Sequence, residues 1–383
     1  MNQTLKLTAA TSLAALGTAF AHPHTESGTS NGDWCTSLKD FGMFHKDSNA
    51  SFIQELKFFG RFQWQVGSVD AEGFDRMDYD NSFTEIRRFR IGTQVKFLDN
   101  FKLKVNANLE DGGPNNHSFG YHSLDEAKLT YSVNGWSITY GRQKFKFSQE
   151  AHTSSKKIKT IELSNLANYF YGSRRPTGVT VEGKIGNVET AFSVFSTDEH
   201  HELAQWGEGL AYYANAQFEV GNGNVNLDFL YNDASNSDVD TFDGIEWGIS
   251  AAYTTTFGEW DVMANVIYGE KKSGDSVCGF IIMPSTFLIE DKLEFVARYQ
   301  YAGSDGDNLK LTSRYARRAD KTDGKGVLGA KGNKNHTLYA GLNYYLCNHN
   351  SKFQLGVEYE TMEQRNDDSA DAITGWFAYR MYF

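Results

Sequence analysis

Proline is nearly absent from this chain, with four in 383 residues. A sequence whose residues sit mostly in paired strands has little room for a residue that cannot donate to the ladder. Cysteine is as scarce: Cys35, Cys278 and Cys347 lie far apart and lack metal-ligand spacing. That excludes a disulfide framework, and an odd number leaves at least one thiol unpaired or intermolecular. Beyond the first 21 residues no apolar run is long enough to cross a bilayer as a helix. A membrane role therefore requires a closed barrel, in which the strands satisfy each other's backbone. Positive charge is also in deficit. The formal net charge of -11 excludes a nucleic-acid partner as the default, but it does not describe a pore, where local charge at a constriction decides.

What is abundant is glycine (36), phenylalanine (28) and tyrosine (20), with Asn, Asp and Ser in short clusters, the composition of many strands and turns. At this length the chain holds either two ordinary soluble domains or one large barrel. The stretch from Arg87 to Glu110 shows the pattern that decides. Phe89, Ile91, Val95 and Phe97 alternate with Arg88, Arg90, Gln94 and Lys96, the chain turns at Leu98-Asp99-Asn100, and alternation resumes as Leu103, Val105, Ala107 and Leu109 against Lys102, Lys104, Asn106 and Asn108. Such segments recur about sixteen times between residues 55 and 383. Short connections (FLDN, VNGW, KIGN, GNGN, TFGEW, LIED, LCNHNS) alternate with long ones near 68–83, 111–119, 148–176, 198–208, 234–244, 304–334 and 364–372. Only the connection at 271–275 is short where a long one is expected. A soluble barrel this wide would leave a void behind an apolar inner face, whereas a water-filled lumen needs the polar residues inside and the apolar ones against lipid. The fold class is all-β: a transmembrane antiparallel β-barrel of about sixteen strands with one inward-folding loop that contains a short helix.

The ends agree with export. Lys6 precedes an apolar run, Leu7 to Phe20, closed by Ala19-Phe20-Ala21. Residues 1–21 read as a signal peptide, residues 22–54 as a polar periplasmic lead-in, and residues 55–383 as the barrel. Aromatics gather at strand ends, among them Trp136, Tyr140, Trp247, Tyr253, Trp260, Tyr268, Tyr299, Tyr301, Tyr344 and Tyr345, as interfacial girdles require. The chain finishes on an alternating strand, Phe377, Tyr379, Met381 and Phe383, suited to close against the first strand.

One connection, residues 141–178, differs in kind. It holds a helix-like piece, Ser154 to Tyr169, with Ser154 or Ser155 as cap, and its length marks it as functional. Asp125-Glu126-Ala127-Lys128, then Gly141-Arg142-Gln143, then Thr153-Ser154-Ser155 occur in an order that resembles the phosphate-selective porins O and P. The resemblance rests on residues 120–162. Where members often carry Arg after the loop Glu, Glu162 here precedes Leu163. It implies a homotrimer of sixteen-strand barrels in the bacterial outer membrane, among lipid and lipopolysaccharide, that conducts small anions such as phosphate past inward-folded basic loops.

Arginine offers a planar fork to phosphate oxygens and lysine a mobile point charge. The anion-pathway candidates are Arg88, Arg90, Lys102 and Lys104 on strands, Arg142 and Lys144 leading into the loop, Lys156, Lys157 and Lys159 within it, and Arg174 and Arg175 at its exit. Arg142, Lys144 and Lys146 share the phase of Trp136, Ile138 and Tyr140, so they lie above the apolar band, pair outside it, or follow a bulge that turns them inward. The bland reading of any such charge is a wet wall residue paired across the strand. Arg314, Arg317 and Arg318 form a second cluster in the loop 304–334. The acidic loops around Asp70–Asp80 and Asp198–Glu208 lack calcium-loop spacing. His200-His201-Glu202 lacks a second His at helical spacing, and no Gly-x-Ser-x-Gly elbow occurs, so no metal, cofactor or catalytic residue is assigned. The alternatives are a non-selective diffusion pore, a surface adhesin or structural barrel, and an outer-membrane enzyme.

The facing assignment is testable. Ile91→Arg or Val105→Arg should lower stability in lipid by about 2–4 kcal/mol in unfolding titrations, while Arg in place of the inward Asn106 avoids that lipid penalty. Equal losses at all three positions would contradict the assignment.

Overall fold

The computed structural model describes residues 34–73, 78–110, 119–234, 240–306, 309 and 332–383. The signal-peptide reading, residues 22–33 of the lead-in and the cluster Arg314, Arg317 and Arg318 lie outside the described residues. The chain divides into two units, Met1–Ser37 and Leu38–Phe383, and the barrel belongs to the second. After helix α1 (Trp34–Asp40) the strands are β1 (Met43–Lys46), β2 (Ile53–Glu72), β3 (Asp78–Phe97), β4 (Phe101–Glu110), β5 (Phe119–Val133), β6 (Trp136–Arg142), β7 (Thr177–Ile185), β8 (Val188–Ser196), β9 (Leu210–Val220), β10 (Gly223–Asn232), β11 (Ile245–Phe257), β12 (Trp260–Lys271), β13 (Ser276–Ile289), β14 (Leu293–Ser304), β15 (Lys334–Tyr345), β16 (Ser351–Glu363) and β17 (Ser369–Tyr382). The connection between β6 and β7 carries α2 (Gln149–His152) and α3 (Asn165–Tyr171).

Strands β2 to β17 form a closed antiparallel ring of sixteen. Each pairs with the next, and β17 returns to β2 from Asp371↔Glu72 to Tyr382↔Arg61. The terminal residue extends the seam, since Gly60 N–H donates to the Phe383 carbonyl (3.2 Å) and Phe383 N–H to that of Gly60 (3.3 Å). Below that point β2 has outrun β17, and β1 pairs with it instead, from Met43↔Lys57 to Lys46↔Glu55. Part of the segment read as a lead-in thus covers a sheet edge that would otherwise stay open.

The wall faces as the alternation requires. On β10, Leu227, Phe229 and Tyr231 are exposed on the outside while Asn226 and Asp228 are buried inside. On β16, Leu355, Val357 and Tyr359 alternate with buried Gln354, Glu358 and Glu360. Tyr345 departs from the girdle reading, because it points inward and its hydroxyl donates to Glu294 (2.5 Å). Cys278 is free and exposed on β13, and Cys35 and Cys347 are disulfide-bonded.

Of the long loop expected at 68–83, residues 68–72 and 78–83 are instead strand. β2 and β3 continue upward with their polarity reversed: Ser68, Asp70 and Glu72 turn outward while Val69, Ala71 and Phe83 are buried inside. Val69 and Ala71 pack with Ala370, Ala372 and Trp376. The reversal marks where lipid ends. Below it the outside is apolar and the lumen polar, and above it water lies outside and a small protein core inside.

Gly60 admits the terminal ring, since a Cβ there would lie 2.2 Å from Phe383. Gly60→Val should force Phe383 off the seam and cost about 1–3 kcal/mol, read as a lower urea midpoint in lipid. Gly120→Val, which meets nothing within 4 Å, should leave the midpoint unchanged.

Candidate functional site

The lumen is divided by residues 143–176. Gly141 has a φ of +123° and its position tolerates no Cβ, which would sit 2.2 Å from the Ala127 carbonyl oxygen. Beyond it β6 ends at Arg142 and the chain bends into the barrel. Phe145 and Phe147 then enter a buried cluster with Phe170, Phe195, Tyr213, Phe242 and Ile267. Ring centroids are 5.1 Å apart for Phe145–Phe242 and 5.4 Å for Phe147–Phe170. Apolar side chains therefore fill part of the lumen on the β8–β14 side, where a wide barrel would otherwise hold water.

The helix expected over 154–169 is displaced. Residues 154–164 are irregular, and helix α3 begins after Ser164, whose hydroxyl caps it by accepting from Ala167 N–H (3.1 Å). The reason is competition for backbone acceptors. Carbonyls that a helix would use accept from the wall: Ser155 from Tyr382 (2.8 Å), Ile158 from Lys352 (2.6 Å), Lys159 from Asn343 (2.9 Å), Ile161 from Arg380 (3.1 Å) and Glu162 from Arg298 (2.9 Å). Arg298 is the centre of this pinning. It is buried and bridges Glu150 on the loop (3.1 Å) to Glu358 on β16 (2.8 Å), while Glu150 accepts from Ser164 N–H.

The space between the loop and the wall of β3–β9 holds two recesses. Its outer part is a recess of about 370 Å³ lined by Arg87, Arg88, Arg90, Arg142, Arg174 and Arg175. Its inner part, about 440 Å³, is lined by Lys102, Lys128, Lys144, Lys146 and Lys184. Asp125 lines the outer recess, and the next residue, Glu126, is bound to Lys128 of the inner one. Asp125 binds both Arg90 (2.9 Å) and Arg175 (3.0 Å), and Glu126 binds Lys104 (2.5 Å) and Lys128 (2.6 Å).

Eight of the eleven candidates come together here. Arg88 donates to Gln63 (2.7 Å). Lys102 lines the inner recess. Lys104 also lies over the Phe59 ring, 5.3 Å from its centroid. Arg142 donates to the carbonyls of Leu124 (2.7 Å) and Glu202 (2.9 Å) and so fixes the outer rim. Lys144 donates to the Thr153 carbonyl (3.1 Å) over the ring of Tyr171. Burial, with Arg175 and Arg61 nearby, pushes its ammonium down to about 7. Arg174 is held by Asp243 and by backbone carbonyls. The other three lie elsewhere. Lys156 lies over Tyr382 at the β2–β17 seam. Lys157 lines a separate recess. Lys159 is bound to Glu294 (2.7 Å) and Asp261 (3.0 Å), and these pairs raise its ammonium pKa against the opposing effect of burial.

The phase problem of Arg142, Lys144 and Lys146 is resolved by the bend after Gly141, which turns the lysines into the passage. Strand parity misses Arg87 for a similar reason. It sits at a bulge, where pairing runs Gln63↔Arg88 and then Trp64↔Ile86, so Arg87 and Arg88 both serve the lumen and Arg87 binds Glu162 (2.7 Å). Arg298 and Arg380 are absent from the candidates as well, although both stand on the polar phase of their strands and the signal that marks Arg88 marks them equally.

A closed sixteen-strand barrel with an inward loop and a charged, water-accessible passage is a porin of the outer membrane. The chain belongs to the family of phosphate-selective porins O and P, whose model matches residues 56–253. No curated protein sequence matches it. Among solved structures it is similar to the outer membrane channel DcaP of Acinetobacter baumannii (13% identity, 89% of this chain and 100% of that one, TM-score 0.60). It is also similar to an anion-selective porin from Comamonas acidovorans (11%, 85% and 99%, 0.58) and to the trimer form of OmpT of Vibrio cholerae (11%, 86% and 99%, 0.53). At these identities the likeness is one of fold.

Arg298→Met should leave Glu150 and Glu358 without their buried partner and cost about 3–5 kcal/mol. The loosened loop should appear as larger and noisier single-channel conductance. An unchanged, quiet channel would show that the loop does not depend on this residue.

Proposed function

We propose that the protein is an anion-conducting porin for phosphate and comparable small anions, working as a homotrimer after removal of residues 1–21. The observation that carries the reading is the charge of the passage. Six arginines face four carboxylates in the outer recess, and five lysines face two in the inner one, in a chain whose total charge is negative. Low-dielectric walls focus this local excess, which raises anion concentration and repels cations. Arg90 and Arg175 hold Asp125 between them, so a permeating anion exchanges with a tethered carboxylate instead of meeting bare cations. That limits trapping, which conduction requires. Lys102 and Lys144 carry charge that no carboxylate within ion-pair distance cancels among the described residues. Arg88 supports the wall beside them. The trimer form of OmpT is a property of that protein, and trimerisation here rests on the shared fold.

A second reading, a weakly selective diffusion pore, is favoured by the number of neutralised cations: Arg90 and Arg175 share Asp125, and Lys104 and Lys128 share Glu126. Reversal potentials under a salt gradient decide between the two. Anion preference, with phosphate reducing chloride current at low concentration, supports the first reading. Near-equal permeability would leave only the second.

The pH dependence follows from Lys144. Because its pKa is lowered to about 7, it is charged below that pH and neutral above it, so anion preference should fall as pH rises from 6 to 8. Loss of one unit charge felt across about 6 Å of water shifts anion and cation by about 0.7 kcal/mol each in opposite directions, which changes the anion-to-cation ratio roughly tenfold. Lys144→Gln should show the lower ratio at both pH values, and a slope retained in that variant would assign the effect to another group.

A further inference from the structure

The loop has a second side, and the recess beneath it belongs to no part of the passage. It measures about 340 Å³ and lies between loop residues Gln149–Leu163 and the turn-side ends of β10 to β13. Its deep end is apolar. Met263 belongs to the buried cluster around Phe147 and Phe170, and Leu163 and Met283 pack against that cluster, which closes the recess toward the outer mouth. Every wall residue in its lining comes from the short-turn half of the barrel, so its opening faces the periplasm.

Its rim has the opposite character. Asn224 and Thr254 offer amide and hydroxyl groups. Of the two lysines, Lys159 is neutralised by Glu294 and Asp261, whereas the exposed Lys157 ammonium has no hydrogen-bond or ion-pair partner among the described residues. The lining carboxylates Glu150 and Asp261 are paired with Arg298 and Lys159, so a recess with an apolar deep end and one uncompensated cation at its polar mouth suits neither inorganic phosphate, which gains nothing from methionine, nor a neutral hydrocarbon, which leaves the lysine unused.

We propose that this recess binds a small amphipathic monoanion, an alkyl carboxylate that enters from the periplasmic side. Its chain lies on Leu163, Met263 and Met283, and its carboxylate meets Lys157. The flexible thioethers adapt to chains of different shape, and the volume is within the range of small-molecule pockets. The site lies off the conduction route, so its ligand and the permeating ion occupy the barrel together.

The test uses the full chain in lipid nanodiscs, with empty nanodiscs as the partition control. Butyrate, pentanoate and hexanoate are titrated by saturation-transfer NMR. Affinity should rise about fourfold for each methylene buried. Lys157→Gln, a surface change that leaves the fold intact, should weaken hexanoate about fivefold, the value of one charge contact at about 4 Å in water, and should not weaken hexanol. Met283→Gln should flatten the chain-length series, Lys144→Gln should leave hexanoate affinity unchanged, and saturating hexanoate should leave chloride conductance unaltered. Binding independent of chain length, binding indifferent to both Lys157→Gln and Met283→Gln, or hexanoate block of chloride current relieved by Lys144→Gln would each overturn the proposal, the last by placing the carboxylate in the passage.

Discussion

Lipid offers no hydrogen-bond partner, so every backbone N–H and C=O that crosses it must be answered within the protein. Nearly all of the architecture results from that constraint. The ring has to close, which it does where β17 returns to β2, and the pairing extends to the last residue. Where β17 ends before β2 does, β1 supplies the missing edge. The outward face has to be apolar, which sends the polar half of each strand inward.

Closing sixteen strands creates a second problem, because wall side chains alone do not fill so wide a lumen. The inward loop solves it unevenly. Toward β8–β14 it brings Phe145, Phe147 and Phe170 into a dry cluster, and toward β14–β17 it is tied by Arg298, Lys352 and Arg380. These buried cations are compensated by carboxylates and loop carbonyls, so they act as fasteners. Water and mobile charge are left to the β3–β9 side. The recesses and the fastening of the loop thus use the same residue types in different surroundings. An arginine shared between two carboxylates holds the loop, while lysines line the inner recess.

The same division limits what strand periodicity reveals. Arg88, Arg90, Lys102 and Lys104 are legible as lumen residues because period-two alternation assigns a face to each. Parity does not say whether a lumen residue meets water, a carboxylate or the loop. Lys104 and Lys102 look equivalent in the sequence, yet one is bound to Glu126 and the other lines the inner recess. The two breaks of phase, at Arg87 and after Gly141, occur at a bulge and at a positive-φ glycine, where one residue resets the alternation and leaves no mark in composition.

By itself, the sequence determined the sixteen-strand barrel, the side of each strand that meets lipid, the alternation of short turns and longer loops, and the one connection that enters the lumen. Those features depend on local periodicity and on the absence of spanning helices. Only the tertiary structure decided that β2 and β3 run past the lipid with inverted polarity, that residues 154–164 give up helical bonds for bonds to the wall, and which cations remain uncompensated. These depend on contacts that strand periodicity does not encode: some bridge distant parts of the chain, as Arg298 does to Glu150, and others join side chains on different elements, as Arg90 and Arg175 do at Asp125.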